Sequence, residues 1–284
     1  MAKYIVRISD GLGNQMFQYA FAYALAMETS QKVFIDPLFW KTSLRDYQLN
    51  NYNISMPRFI PPVFDSFLGM LSKDNLQYRT NFRNRIINKK YNLYREKQIM
   101  AYDPSVFNMN GGVFFEGFWQ NHLYFDKYKE KIKKELARKT KISDRANEYT
   151  NEIKSCCSVS IHVRRTDYVR TEDNVAIKTE FYMRAYRDLV NRIGKNLSLY
   201  VFTDDKKYVR DNFNIKDYTL IEGLSDIDEF EVMKNCKHHI IANSTFSWWA
   251  AYLGENEGVT IAPVFDIWER DFYPENWITL KARG

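Results

Sequence analysis

The sequence predicts an α/β fold of two Rossmann-like domains facing each other across a cleft. Three observations predict it. The chain opens as strand, glycine turn, helix, strand. Short apolar strands then alternate strictly with helices through the second half. Polar motifs stand at the carboxyl ends of those strands, where open α/β sheets bind ligands. At 284 residues the chain has room for two ordinary domains.

Residues 3–8 read as a buried strand and Asp10-Gly11-Leu12-Gly13-Asn14 as a turn. Residues 15–27 are apolar nearly all round, so they predict a buried helix. Val33-Phe34-Ile35 is a second strand ending at Asp36-Pro37, which completes a βαβ unit. Residues 40–110 carry Pro57, Pro61 and Pro62, many Asn and Tyr, and the basic residues Arg79, Arg83, Arg85, Lys89, Lys90 and Arg95. They predict an irregular, partly helical insertion that could face an acceptor. Residues 112–118 read as a strand. Residues 126–141 read as a helix with Tyr128, Ile132 and Leu136 on one stripe and lysines on the other faces. A basic amphipathic helix can lie on an anionic membrane, but the narrow apolar face and Glu130 and Glu135 favour a solvated surface helix. A third helix covers roughly 143–154, and the domain boundary is expected near 150–157, giving domains of 1–155 and 156–284.

The second half is more regular. Strands are predicted at 159–163, 197–203, 218–221, 239–242 and 259–262. Helices are predicted at 179–194, 204–212, 227–234 and 245–253. That spacing argues for a parallel sheet covered on both faces.

Composition narrows the function less. The balance of 41 Lys+Arg against 35 Asp+Glu, net +6, suits a nucleic acid, an anionic membrane or a phosphorylated small molecule, and equally a mere solubility setting. The 16% of aromatic residues suits stacking on sugars and bases or a tyrosine-rich core. Cys156, Cys157 and Cys236 make neither a disulfide framework nor a metal spacing, so a reducing cytoplasm is expected. The chain begins directly with a strand-like run, without the pattern of a signal peptide. No window approaches 18 consecutive apolar residues.

Four motifs carry the chemistry. In Ser160-Ile161-His162-Val163-Arg164-Arg165-Thr166-Asp167-Tyr168 two arginines leave a buried strand together. Past the strand end both guanidinium groups can turn to one ligand and neutralise a leaving diphosphate. The alternative is an Arg165–Asp167 ion pair bracing a loop. In Ile240-Ile241-Ala242-Asn243-Ser244-Thr245-Phe246-Ser247 a strand passes through hydroxyl and amide residues into a helix. Such a helix N-terminus binds phosphate, although the same residues make an ordinary cap. Asp10-Gly11-Leu12-Gly13-Asn14-Gln15 begins like a dinucleotide fingerprint, but Met16 stands at the third glycine position, with Asp36 near the expected ribose-binding acid. Phe202-Thr203-Asp204-Asp205 is another strand end, better read as a helix cap than as a nucleotide reader. A metal-binding DxD at a strand end is missing. Asp226-Ile227-Asp228 has the spelling but opens a helix, and reads as a solvated or capping face. A nucleotide-dependent oxidoreductase and a non-catalytic basic nucleic-acid-binding protein stay open as rival readings. The absent third glycine counts against the first, and the lack of a nucleic-acid-binding motif against the second.

His162-Val163-Arg164-Arg165-Thr166-Asp167 resembles the HxRRxD motif of the α-1,2-, α-1,6- and protein O-fucosyltransferases. The opening Gly11 to Ala20, the Phe202–Asp205 motif and the run Asn243 to Tyr252 resemble the α-1,2-fucosyltransferases of glycosyltransferase family 11, notably the bacterial ones. Residues 40–110 find no counterpart. The resemblance implies a GT-B fold, GDP-β-L-fucose as donor, the 2-hydroxyl of a terminal β-galactoside as acceptor, inversion at the anomeric carbon, and no metal or other cofactor. By residue it implies that Arg164 and Arg165 grip the diphosphate, His162 sits beside the donor and Asp167 holds the arginine loop. Asn243, Ser244, Thr245 and Ser247 would complete the phosphate pocket. Asp10, Gly11, Gly13, Asn14 and Gln15 would face the fucose or acceptor. In the α-1,6 enzymes a glutamate follows the motif at the spacing of Glu172, which makes Glu172 the first candidate for general base, with Asp167 and Asp10 behind it. The partners implied are GDP-fucose and a galactose-terminated oligosaccharide or glycolipid, with no nucleic acid. The expected location is cytoplasmic, with peripheral contact at the inner face of an anionic membrane.

Overall fold

The computed structural model describes residues 3–37, 46–59, 90–166, 168–170, 175–194, 196–215, 217–254, 257–265 and 272–283. Two units result, Met1–Thr140 and Lys141–Gly284.

In the first unit, β1 (Lys3–Arg7), β2 (Lys32–Asp36), β3 (Asn92–Arg95) and β4 (Val113–Glu116) form a parallel sheet in the order β2-β1-β4-β3. The expected βαβ opening is present, with α1 (Leu12–Glu28) between β1 and β2. The helix starts at Leu12 rather than at residue 15. Asp10 takes the left-handed φ of 64° that turns the chain, and Gly11 sits at the N-cap. Gly13 therefore lies buried inside the first turn of the helix rather than in the turn before it. Burial on nearly all faces explains the apolar sequence of α1, with Phe21 stacked on Trp119 at 4.1 Å between ring centroids.

β3 lies within the stretch expected to be irregular. It is a four-residue edge strand, too short to show a clear alternation. The predicted helix 126–141 is shorter, as α2 (Lys129–Glu135). It ends because the chain turns extended to pair with residues 51–53: Asn53 N–H donates to Ala137 O at 3.0 Å and Lys139 N–H to Asn51 O at 2.9 Å. Ile132 and Leu136 of the expected stripe are buried, and Lys131 and Lys134 are exposed.

The second unit follows the predicted alternation: α3 (Asp144–Lys154), β5 (Ser158–Val163), α4 (Thr179–Ile193), β6 (Ser198–Thr203), α5 (Lys206–Asn212), β7 (Tyr218–Leu220), α6 (Asp226–Lys234), β8 (His238–Ile240), α7 (Thr245–Leu253) and β9 (Thr260–Val264). A further strand, β10 (Ile278–Lys281), extends the sheet beside β9. The sheet is parallel in the order β10-β9-β8-β5-β6-β7, so β5 lies between β8 and β6. α3 belongs to this unit, where it packs on α6, and the units divide before it rather than near 150–157. Alternation along β5 sorts its side chains. Val159, Ile161 and Val163 enter a core with Phe181 and Leu189 of α4. Ser160 and His162 face the other way, Ser160 Oγ lying 2.8 Å from His239 Nδ1 and the His162 ring 5.8 Å from that of Phe246. Among the described residues no helix is long and apolar enough to cross a membrane.

Candidate active site

The carboxyl ends of the adjacent strands β8, β5 and β6 gather three of the four sequence motifs. Arg164 and Arg165 follow β5, Asp204 and Asp205 follow β6, and Asn243 and Ser244 follow β8. Asp204 organises the arginine loop. Its carboxylate accepts from the backbone N–H groups of Arg165 at 2.9 Å and Thr166 at 3.2 Å and from Thr166 Oγ1 at 2.6 Å, and pairs with Arg164 Nε at 3.1 Å. Asp204 thus holds the arginine loop from the neighbouring strand; Asp167, of which a loop-holding role was expected, lies outside the described residues. Asp205 caps α5 by accepting from Tyr208 N–H at 3.0 Å, as the cap reading predicted. Its other oxygen lies 3.7 Å from Arg165 Nε. The Arg165 guanidinium lies flat against Tyr208, 3.4 Å from the ring centroid.

The loops after β5 and β8 are joined as well. Tyr168 donates to Asn243 O at 3.1 Å, and the Arg164 guanidinium lies 5.7 Å from the Tyr168 ring. Asn243 Nδ2 donates to Val175 O at 2.9 Å. The amide of Asn243 thus fixes a loop, while Ser244 occupies the N-cap of α7 without using its hydroxyl as a cap. Ser247 is different: it is fully buried and its hydroxyl donates back to Ser244 O at 3.2 Å, so it does not line a pocket. Thr245 opens the helix and is half-buried.

His162 is 6% exposed. Burial first, and the Arg164 charge second, lower its pKa to about 4, so the imidazole is neutral at pH 7. Its Nδ1 has no hydrogen-bond partner among the described residues. Glu229, in the first turn of α6, was not foreseen. Burial raises its pKa to about 7; Asp226 and Asp204 add to the rise, and Lys206 opposes it. A half-buried carboxylate with a perturbed pKa near the arginine loop is a ligand candidate on physical grounds. Its only signal in the sequence was a place in an acidic helix start. Of the DxD spelling, Asp226 is exposed and Asp228 N–H donates to the N-cap Ser225 at 3.2 Å. Among the described residues no three His, Cys, Asp or Glu side chains gather as a metal site.

The first unit has its own constellation at the carboxyl ends of β1 and β4. Gly11 leaves open space where a Cβ would stand. Asn14 Oδ1 accepts from Gln120 Nε2 at 2.9 Å. Gln15 is buried: its amide donates to Asp10 O at 2.6 Å and Asp46 O at 2.8 Å and accepts from Gln48 N–H at 2.9 Å. It is a positioning residue for the Asp10 turn. Gln18 works alike, bonding Ser9 N–H at 2.7 Å, Ser9 Oγ at 3.1 Å and Gly117 O at 3.0 Å. Two glutamines in an otherwise apolar helix were the available signal. The loop after β4 is held by Glu96, which accepts from Phe118 N–H at 2.7 Å and Trp119 N–H at 3.1 Å. Desolvation raises the Glu96 pKa. Trp119 has a positive φ of 57°, and a Cβ on Gly117 would come within 2.5 Å of Glu96 Cβ, so this loop tolerates little change. Glu172 lies outside the described residues.

Residues 1–281 match glycosyl transferase family 11. The chain belongs to that family. The family 11 chain is 35% identical to an α-1,2-colitosyltransferase of Escherichia coli, over 99% of this chain and 100% of the relative. It is 24% identical to galactoside α-(1,2)-fucosyltransferase 2 of Sus scrofa, over 95% of this chain and 78% of the relative. Among solved structures it resembles the NodZ α-1,6-fucosyltransferase of Bradyrhizobium soaked with GDP-fucose, with a TM-score of 0.51 and 15% identity over 89% of this chain and 92% of that one. The likeness is one of fold, and the family 11 chain is a glycosyltransferase of the GT-B class.

Proposed function

We propose that the chain transfers L-fucose from GDP-β-L-fucose to the 2-hydroxyl of a terminal β-galactoside, with inversion and without a divalent metal. The observation that carries this reading is the pair Arg164 and Arg165 at the carboxyl end of β5, the first held by Asp204 and the second stacked on Tyr208 with Asp205 3.7 Å away, all from the strand end and helix after β6. Two oriented cations beside an uncapped helix N-terminus suit a diphosphate. The acceptor oxygen would form its bond to the anomeric carbon as the bond to the β-phosphate oxygen breaks. The arginines would take up the charge that grows on GDP, and the acceptor proton would pass to a carboxylate. Glu229 at the same end of the sheet, when ionised, would accept from the N–H edge of a guanine. The named activities of the E. coli and Sus scrofa relatives support an α-1,2 linkage.

The 35% identity to a colitosyltransferase favours a second donor, GDP-colitose. Colitose is fucose without its 3-hydroxyl, so the two readings share every step and differ in one polar contact, which is enough to discriminate strongly if the site bonds that hydroxyl. The test supplies the full chain with GDP-fucose and GDP-colitose in turn, with lactose and other β-galactosides, each with and without EDTA, and reads the linkage by NMR. An α-1,2 product that forms equally in EDTA is expected. Transfer from neither donor, or transfer abolished by EDTA, overturns the proposal.

A further inference from the structure

We infer that the second unit carries another binding site, for a phosphorylated polyol, at the amino edge of its sheet. A cavity of about 360 Å³ opens there between the last turns of α3 and α6 and the start of β5. Ligand pockets begin near this size. The arginine loop lies at the other end of β5, roughly 20 Å away along a six-residue strand. This site is therefore separate from the donor reading and stands or falls without it.

Lys154, Lys234 and Lys237 line the cavity together with Glu231 and Ser158. Lys154 and Lys237 are exposed and form no ion pair with a described residue. Lysines in the last turn of a helix also answer the helix dipole. That role would account for Lys154 and Lys234, but it needs no cavity and leaves Lys237 and Glu231 unexplained. Glu231 is 4% exposed. One oxygen pairs with Lys234 Nζ at 2.6 Å, while Oε1 is buried with no donor among the described residues. A buried carboxylate oxygen without a donor is an acceptor awaiting one. A bare anion would meet the lysines and be repelled by Glu231. A ligand with a phosphate and a neighbouring hydroxyl satisfies both: the phosphate takes Lys154 and Lys237, and the hydroxyl donates to Glu231. Ser158 Oγ, which accepts from Lys237 N–H at 3.0 Å, fixes the backbone beneath. Glycerol phosphate has this chemistry, whether free or as the headgroup of phosphatidylglycerol.

The test is titration calorimetry on the full chain with sn-glycerol 3-phosphate, inorganic phosphate, and vesicles of phosphatidylglycerol or phosphatidylcholine. To silence the arginine loop, the titrations are repeated in the Arg164→Ala/Arg165→Ala chain. Glycerol phosphate should bind about tenfold tighter than inorganic phosphate, the equivalent of one hydrogen bond to a charged group. Binding should survive the arginine substitutions and be lost in Lys154→Ala/Lys237→Ala, whose exposed side chains can be removed without touching the core. Binding of phosphatidylglycerol vesicles as well assigns the ligand to a lipid headgroup; glycerol phosphate binding without vesicle binding assigns it to a soluble metabolite, and either supports the site. Equal affinity for inorganic phosphate, vesicle binding alone, or binding unchanged in the double lysine variant overturns it.

Discussion

Replacing Asp204 with alanine separates two ways in which a carboxylate beside two arginines can act. If Asp204 merely lowers the local positive charge, its removal strengthens binding of an anion. If it holds the loop, its removal weakens binding in spite of the charge gained. The structure favours the second. Three hydrogen bonds reach this carboxylate from Arg165 and Thr166, in addition to the Arg164 pair. A hydrogen bond to a charged group is worth about 1.5–3 kcal/mol. The Asp204 side chain is 19% exposed, so the lower end applies, and three bonds amount to about 4.5 kcal/mol. Hydration of the opened loop returns part of that, leaving about 2–3 kcal/mol, or a roughly 30- to 150-fold fall in kcat/KM. The assay pairs calorimetric GDP binding with transfer kinetics for Asp204→Ala and Asp204→Asn. The asparagine keeps one acceptor oxygen, so it should fall between wild type and alanine. GDP binding equal to or tighter than wild type, with kcat/KM unchanged, would refute the holding role.

Arg165→Ala should lower kcat/KM by a few kcal/mol, about 10²- to 10³-fold, and Arg165→Lys should recover little of it, because an ammonium cannot lie flat on Tyr208 as the guanidinium does; parallel circular dichroism checks that the fold is intact. Glu229 titrates near 7 in the folded chain against 4.5 ordinarily, so as pH rises through that window the unfolded chain ionises first and the folded state loses stability. Glu229→Gln should therefore gain up to about 3 kcal/mol over wild type above pH 7 and nothing below pH 4, as read by urea unfolding across pH. Gln18→Leu strands the buried Ser9 N–H and removes a donor from Gly117 O, for a loss of about 3 kcal/mol and a Tm lower by roughly 10 °C in calorimetry.

Strands β5 to β9 of the second sheet were legible because apolar residues recur in them, in short runs or, in β5, at alternate positions, set off by polar helix starts, and the arginines were legible because two guanidinium groups at a strand end have few structural uses. β3 and β10 were not, since edge strands of four residues are held by their neighbours' hydrogen bonds rather than by their own pattern. The early end of α2 was hidden for a related reason: its apolar stripe continues to Leu136, but residues 51–53 claim the backbone beyond it. At the site, the sequence offers a partner for the arginines within their own loop, Asp167, which lies outside the described residues. Parallel pairing puts the end of β6 against the end of β5, Val163 facing Thr203, and so brings in Asp204 from some forty residues away, a contact that register decides and spacing cannot show. Ser247 and Gln15 show the converse, since both have ligand-like chemistry but the helix phase turns each inward onto backbone.

Ion pairs do not disqualify the arginines from binding a diphosphate, because of how each is held. Asp204 takes the Nε edge of Arg164, and Asp205 stands 3.7 Å from Nε of Arg165, outside hydrogen-bond reach. Tyr208 supports Arg165 through its flat face. Stacking occupies the face of a guanidinium and leaves its in-plane N–H groups directional. A lysine held by an aspartate would have its one charge centre quenched; an arginine held this way is oriented. Oriented donors need no rearrangement when charge develops on a leaving phosphate, and that is where electrostatic catalysis draws most of its advantage. The aspartates therefore add to the arginines' function through geometry while subtracting from it in charge, and the sign of the GDP affinity change in Asp204→Ala measures which of the two is larger.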